Sequence, residues 1–283
     1  MEKKITITTF LKKKESGEKI VMITAYDYLT AKLVDETGVD GILVGDSVGT
    51  VLLGYNSTIH VTMDEMLHHV KAVARANPKA LLVADMPFMS YEVSNEDALR
   101  NAGKFIKAGA EAVKLEGGVE VVDRVRALVN AGIPVMGHIG LNPQRIHKLG
   151  GYKYRGKTSE DALSMVEDAK ALEESDVFAI VIECTMAEVA REIMKRVKIP
   201  TICIGSGPYC DGQIIVLHDI LGLTPFQLSF VKRYANLAEE IVNAVRKYSD
   251  EVRSDIYPSK EYYRSMDPKE YEKFIKKLHR GED

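Results

Sequence analysis

Ala112-Val-Lys-Leu-Glu-Gly-Gly118 is the stretch on which the fold turns. Its first five residues read as a short apolar strand that carries two charges, Lys114 and Glu116, two positions apart. Strand side chains alternate between faces, so these charges share one face while Val113 and Leu115 take the other. Charges on a buried strand are costly unless each has a partner or a metal. The neighbouring sequence supplies such partners. Gly41-Ile-Leu-Val-Gly-Asp46 and Ala80-Leu-Leu-Val-Ala-Asp85 are also apolar runs that end on a carboxylate.

Working outward, strand patterns recur at 19–25, 41–46, 80–85, 112–116, 133–138, 178–183, 200–205 and, more weakly, 214–218. Helical patterns lie between them. Met63, Met66, Leu67, Val70, Val73 and Ala74 follow helical spacing behind a Thr62/Glu65 capping box. Ser94 opens a second helix, and further apolar stripes run through 122–129, 162–172 and 190–197. Strands that alternate with helices predict a parallel sheet covered on its outside. The polar residues select the closed form, a single-domain (β/α)8 TIM barrel. Asp46, Asp85, Glu116, His138 and Glu183 all fall at C-terminal strand ends, which a barrel gathers into one ring. No Gly-x-Gly-x-x-Gly follows the first strand, against a doubly wound dinucleotide fold.

Residues 1–19 read as a lead-in with a short helix capped by Thr8 or Thr9, and residues 249–283 as a charged, tyrosine-rich helical tail that packs outside the barrel or on another subunit. The whole chain, 1–283, is expected to be one domain. Two connections are long for such units, 47–61 and 140–158. The second carries Gln144, Arg145, Lys148, Gly150-Gly151, Lys153 and Arg155 and reads as a basic lid. Composition excludes several classes. The 38 basic and 41 acidic residues leave no nucleic-acid footprint or polybasic membrane patch. No apolar run reaches a membrane span, and the first residues do not resemble a signal peptide. A cytoplasmic protein is expected, with Cys184, Cys203 and Cys210 as reduced thiols and Cys184 facing away from Glu183.

Asp46, Asp85 and Glu116 are hard oxygen donors with no cysteine beside them, a set suited to Mg²⁺ or Mn²⁺ rather than zinc. Carboxylates at strand ends also cap following helices; three beside an inward lysine favour the metal. Lys114 then reads as an oxyanion holder rather than a mere counter-ion or a Schiff-base nucleophile. His138 stays open between a satisfied interior histidine and a supporting role. Glu183 follows Ala179-Ile-Val-Ile182; such a poorly solvated carboxylate is a candidate general base with an elevated pKa. The glycine-rich segment 205–212 makes a weak phosphate cradle, because Asp211 would oppose a phosphate; a turn in the pocket wall is expected.

Gly45-Asp-Ser47, Ala84-Asp-Met-Pro87, Val113-Lys-Leu-Glu-Gly117, Gly137-His-Ile-Gly-Leu141 and Gly205-Ser-Gly-Pro-Tyr-Cys-Asp-Gly-Gln213 together resemble the ketopantoate hydroxymethyltransferase family. The resemblance runs from about Ile20 to Tyr248. It implies a (β/α)8 barrel that transfers a one-carbon unit from 5,10-methylenetetrahydrofolate to 3-methyl-2-oxobutanoate, giving 2-dehydropantoate. It implies Mg²⁺ on Asp46, Asp85 and Glu116, keto-acid contacts from Asp46, Ser47, Asp85 and Lys114, Glu183 as proton acceptor, and a homodecamer. Asn142 and Ser206 depart from the family pattern, where Thr and Ala are expected. The rival reading is a Mg²⁺-dependent enolate barrel of the phosphoenolpyruvate mutase/isocitrate lyase type. A catalytically inactive barrel serving as an assembly module is opposed by the intact carboxylate set.

Overall fold

The computed structural model describes residues 3–280. Residues 1–2 of the lead-in and 281–283 of the tail lie outside the described residues. The strands β1 (Ile20–Thr24), β2 (Gly41–Val44), β3 (Leu81–Asp85), β4 (Ala112–Glu116), β5 (Val135–Gly140), β6 (Ala179–Glu183), β7 (Thr201–Ile204) and β8 (Gly212–Ile215) close a barrel in chain order. Every neighbouring pair is parallel, and β1 closes the ring on β8 with Ile20 opposite Gly212. The expected (β/α)8 barrel is therefore the observed one.

Register explains the charged ring. Asp85 pairs with Lys114, and Glu116 pairs with His138. Paired residues on parallel strands share a face, so alternation carries all four to the barrel interior. One layer below, the same inward faces carry Val83, Ala112, Met136, Val181 and Ile202, a buried apolar cluster. The outward faces, with Val113, Leu115, Ile180 and Ile182, pack under the helices in a second cluster. Helices Tyr28–Asp35, Met63–Ala74, Asn95–Lys107, Val122–Asn130, Ser159–Glu173 and Ala187–Arg196 supply that cover. The predicted capping box is present: Thr62 N donates to Glu65 at 2.8 Å, and Glu65 N donates back to the Thr62 hydroxyl at 3.3 Å. Ser94 likewise accepts from Asp97 N at 3.1 Å.

Several boundaries differ from expectation. The lead-in helix Ile7–Ser16 is capped by Thr6, whose N–H donates to the Thr9 hydroxyl at 3.1 Å, rather than by Thr8 or Thr9. Its Phe10 is fully buried against Phe178, with ring centroids 5.9 Å apart, and plugs the N-terminal end of the barrel. Burying such a ring contributes roughly 1.5–3 kcal/mol. The eighth strand begins at Gly212 and ends before His218, which sits in the helical turn Leu217–Ile220. The cause is the connection 205–211, which joins β7 to β8 without a helix. At its end, Gly212 passes so close to β1 that a Cβ would meet the Ile20 carbonyl at 2.4 Å.

The chain forms two compact units, with the division between Tyr234 and Ala235. The barrel makes up the first. The second holds helices Leu237–Arg253 and Pro268–His279, the latter capped by Asp267, which accepts from Lys269 N at 2.9 Å. Tyr257 stands between Tyr248 and Tyr262, at 5.4 and 5.6 Å between centroids. The expected tail boundary at Ser249 falls inside the first of these helices.

Candidate active site

The chain leaves β2 at Val44 and turns through Gly45, so Asp46 stands just above the strand. Its backbone N–H donates to Asp85 Oδ2 at 3.2 Å. Asp85 Oδ1 lies 2.7 Å from Lys114 Nζ. Lys114 Nζ is in turn 3.4 Å from His138 Nδ1. His138 joins two carboxylates, with Nδ1 3.5 Å from Glu116 Oε1 and Nε2 3.2 Å from Glu183 Oε2. The sequence-predicted residues thus form one continuous chain of charge. Ser47 follows Asp46 at the cavity wall, its hydroxyl 2.8 Å from Tyr26 Oη rather than in contact with the charged chain. All of them line one cavity of about 510 Å³ at the C-terminal mouth of the barrel.

The members differ in exposure. The side chains of Asp85, Lys114, Glu116 and His138 are 1–5% exposed, whereas Glu183 retains 19%. Glu183 is therefore more open than the apolar run before it suggested. Burial, reinforced by Asp85 and Glu116, pushes the Asp46 carboxyl well above the usual range. For Lys114 burial favours the neutral amine, but Asp85, Glu116 and Asp46 outweigh it and keep the ammonium charged. Burial and Lys114 also oppose charge on His138; the adjacent Glu116 and Glu183 carboxylates prevail and carry it up to about 9.

Gln144, which the sequence placed in the lid without a role, and Tyr91, which it did not single out, organise the carboxylates. Gln144 donates its side-chain amide to Asp46 Oδ2 at 2.8 Å and to the Met86 carbonyl at 2.9 Å, and its backbone N–H to Glu116 Oε2 at 3.1 Å. Tyr91, fully buried, places its hydroxyl 2.9 Å from Gln144 Oε1 and accepts from Glu116 N at 3.2 Å. The position of Gln144 directly after Pro143, in the loop beyond a charged strand end, was the available signal.

These contacts divide the three carboxylates as metal donors. Both Glu116 oxygens are engaged, by Gln144 and by His138. Asp85 Oδ2 accepts from Asp46 N, and its Oδ1 is ion-paired with Lys114 at 2.7 Å without a hydrogen bond. Asp46 uses one oxygen for Gln144. Among the described residues, no three His, Cys, Asp or Glu side chains converge as a complete metal shell. Two cavity-lining aspartates, Asp46 with one oxygen free and Asp85 with one oxygen held only by the Lys114 ion pair, are nevertheless what Mg²⁺ uses, since it takes one or two carboxylates and leaves its other positions to water and substrate. Excess negative charge around a single lysine fits the same ion.

Other expectations need correction. The lid 140–158 spends its arginines on partners of its own, Arg145 on Glu120 and Arg155 on Asp161, the latter at 2.9 Å. The lid's cavity contacts come instead from Leu141, Pro143, Tyr152, Lys153 and Tyr154. The segment 205–212 lines a separate groove on the barrel exterior with Lys19 and Val21. Its Asp211 faces the opposite end of the barrel, accepting from Thr201 N at 2.8 Å and pairing with Lys14 at 2.8 Å. Cys203 and Cys210 are joined as a disulfide, not reduced, because the helix-free connection brings their Cα atoms to 5.7 Å. Cys184 is free and buried, but it lines the same cavity as Glu183. Its φ of 44° takes it out of strand alternation. Burial and then Glu183 push its thiol up to about 12. Both departures from the family pattern are hydrogen-bonded. Asn142 donates to the His138 carbonyl at 3.1 Å, and Ser206 Oγ donates to the Ile182 carbonyl at 2.8 Å while accepting from Thr185 N at 3.0 Å.

Comparison with known proteins agrees with this geometry. Among solved structures, a phosphonopyruvate hydrolase complex with oxalate and Mg²⁺ superposes with a TM-score of 0.60 over 97% of each chain, at 16% identity. A 2,3-dimethylmalate lyase gives 0.58 over 97% of this chain and 98% of the other, at 17% identity. Likeness at that identity establishes the fold alone. Sequence is far more specific. The 3-methyl-2-oxobutanoate hydroxymethyltransferase of Ignicoccus hospitalis is 63% identical over 92% of this chain and 99% of its own. That of Staphylothermus marinus is 59% identical over 96% and 100%. The ketopantoate hydroxymethyltransferase family model matches residues 4–260, from the lysine at the barrel floor to the second compact unit. This chain is an enzyme of the ketopantoate hydroxymethyltransferase family.

Proposed function

We propose that the cavity removes the C3 proton of 3-methyl-2-oxobutanoate and joins that carbon to the one-carbon unit of 5,10-methylenetetrahydrofolate. Water supplies the hydroxyl oxygen, tetrahydrofolate departs, and 2-dehydropantoate is the product. The observation that carries the reading is the placement of Glu183. It is the most open carboxylate of the charged chain, held at 3.2 Å by His138 Nε2, on the far side of that ring from Glu116 and Lys114.

Asp46 and Asp85 are the residues to hold Mg²⁺, with Glu116 acting through water. When bound, the ion polarises the substrate ketone and acidifies the C3–H bond. Ser47 and Lys114, beside Asp46 and Asp85, bind the keto-acid oxygens, and the buried ammonium of Lys114 opposes the negative charge that develops on the ketone oxygen. Glu183 accepts the C3 proton, a role typically worth about 10²–10⁴-fold. His138 positions Glu183 and limits charge repulsion between it and Glu116. Two carboxylates bridged by one histidine are what that position requires. An isocitrate lyase-type reaction needs an activated thiol, whereas the free thiol lining the cavity, Cys184, is pushed up to about 12. The same reading places the enzyme in the cytoplasm as a homo-oligomer, a decamer by family resemblance. Among the described residues no helix is long and apolar enough to cross a membrane.

The test separates binding from chemistry. Glu183→Gln keeps the side-chain shape but cannot take a proton. Exchange of the substrate C3 proton in deuterated water, with Mg²⁺ and without folate, should fall about 10²-fold or more, and folate-dependent turnover at least as far. Calorimetry should still show keto acid and Mg²⁺ binding. Near-parental exchange in the folded variant refutes Glu183 as the base.

A further inference from the structure

The charged chain occupies only part of the cavity. Much of the remaining lining is apolar and comes from Ile214, Ile215 and Val216 around β8 and from Phe226, Leu228 and Phe230 beyond it. One carboxylate belongs to this second lobe. Asp219 lines the cavity, is 5% exposed, and lies outside the Asp46–Glu183 chain of contacts. Its Oδ1 accepts from the Thr224 hydroxyl at 3.0 Å. Among the described residues Oδ2 has no hydrogen-bond or ion-pair partner. That oxygen is not among the sealed polar atoms of the fold; it opens onto the cavity, free to accept from a ligand that brings a donor.

The surroundings state what kind of ligand. Phe226 and Leu228 are large apolar side chains left 53% and 39% exposed at the cavity wall. They are held there by a clamp: Arg233 Nη2 donates to the carbonyls of Thr224 and Phe226 at 3.0 and 3.1 Å. The Thr224 hydroxyl, 3.1 Å from the Phe226 carbonyl, couples that clamp to Asp219. Flat apolar walls with one acceptor-only carboxylate match a planar heterocycle that carries adjacent N–H donors on one edge. A reduced pteridine has that edge, in its N3–H and 2-amino groups. The other substrate of the proposed reaction, a small branched keto acid, has no such donor.

The two lobes are close enough for transfer. Tyr26 stands between them: its hydroxyl meets Ser47 at 2.8 Å, its ring lies 5.4 Å from that of His218, the residue before Asp219, and both Asp46 and Asp219 act on it electrostatically. We propose that Asp219, with Phe226 and Phe230, forms the pteridine subsite of the folate donor, its carboxylate accepting from the 2-amino and N3–H groups. This assignment rests on the function proposed above.

The experiment measures binding of tetrahydrofolate and of its 2-desamino analogue to the Mg²⁺- and keto-acid-loaded enzyme by calorimetry. In the parent, loss of the 2-amino group should weaken binding at least tenfold. In Asp219→Asn, tetrahydrofolate itself should bind at least tenfold more weakly, and the analogue should lose less than threefold further. Phe226→Ala, at an exposed position that the fold does not depend on, should weaken both ligands alike by about fivefold or more. Parental affinities in a folded Asp219→Asn, or equal binding of the two ligands by the parent, overturn the subsite while leaving the transferase reading intact. A parent that binds neither folate, while still exchanging the C3 proton, overturns the folate reading and the subsite together.

Discussion

The two ends of the barrel both collect charge, and they treat it in opposite ways. At the N-terminal end three carboxylates that precede strands are each paired with a lysine: Glu111 with Lys4 at 2.5 Å, Asp211 with Lys14 at 2.8 Å, and Asp40 with Lys13 at 2.6 Å, a lysine that also meets Glu18 at 2.8 Å. Each also accepts an N–H from near the start of the preceding strand, that of Leu82, Val21 and Thr201 respectively, at 2.8–3.0 Å. At the C-terminal end Asp46, Asp85, Glu116 and Glu183 share one lysine and one histidine. The floor pairs its carboxylates with nearby lysines and holds strands in register. The mouth carries a negative surplus, which the fold tolerates only by burying a charged Lys114 and a histidine whose proton affinity is raised. That surplus is the site.

The comparison breaks most sharply at Lys114. Lys114→Met leaves three buried carboxylates without their common cation, and should cost about 3–5 kcal/mol in urea unfolding without Mg²⁺. Mg²⁺ should restore part of that loss, since it supplies positive charge at the same place; a loss unaffected by the metal would mean that the carboxylates do not bind it. Asp211→Asn is the matching change at the floor. It should destabilise by about 1–3 kcal/mol, with turnover per folded molecule unchanged and no Mg²⁺ dependence. A metal-sensitive effect there would erase the distinction between the ends.

Ser206→Ala sharpens the picture at smaller scale. It removes two hydrogen bonds to β6 and the residues after it and should cost about 1 kcal/mol, read as a shift in denaturation midpoint. A neutral result would show that the departure from the family pattern carries no load. The smallest expected effect is pH-dependent. Hydrogen bonds from Arg155, against the opposing effect of burial, hold Asp161 below the usual carboxylate range. A depressed carboxylate stabilises above its unfolded pKa of about 4, and that stabilisation is lost as pH falls through the lower folded value. Asp161→Asn should therefore flatten the acid limb of a stability–pH profile and leave neutral and alkaline limbs parallel to the parent's. An unchanged acid limb removes the pair from the account.

The charged residues were legible because strand geometry is local: Lys114 and Glu116 share a face by alternation alone, and Asp85 and Glu183 end their strands. What organises them was not. Gln144 meets Asp46 across 98 residues, and nothing periodic marks a lone buried amide. Asp219 was hidden because the eighth strand ends before it, and patterning alone runs that strand too far when no helix punctuates the connection leading into it. The Cys203–Cys210 bond depended on the same connection. In each case the missing information was where a loop returns, which patterning does not encode.

The floor has a consequence for how the molecule is made. The plug helix Ile7–Ser16 is synthesised before every strand of the barrel, yet Lys14 meets Asp211 across 197 residues and Lys19 meets the Cys210 carbonyl across 191. The ring itself closes between β1 and β8. Contacts of such long separation form late and slowly. During translation the amino-terminal helix therefore waits, its Phe10 unsheltered, until almost the whole barrel has left the ribosome. In that interval the nascent chain exposes both an apolar side chain and an unpaired strand edge, the features that invite chaperone capture or misassembly.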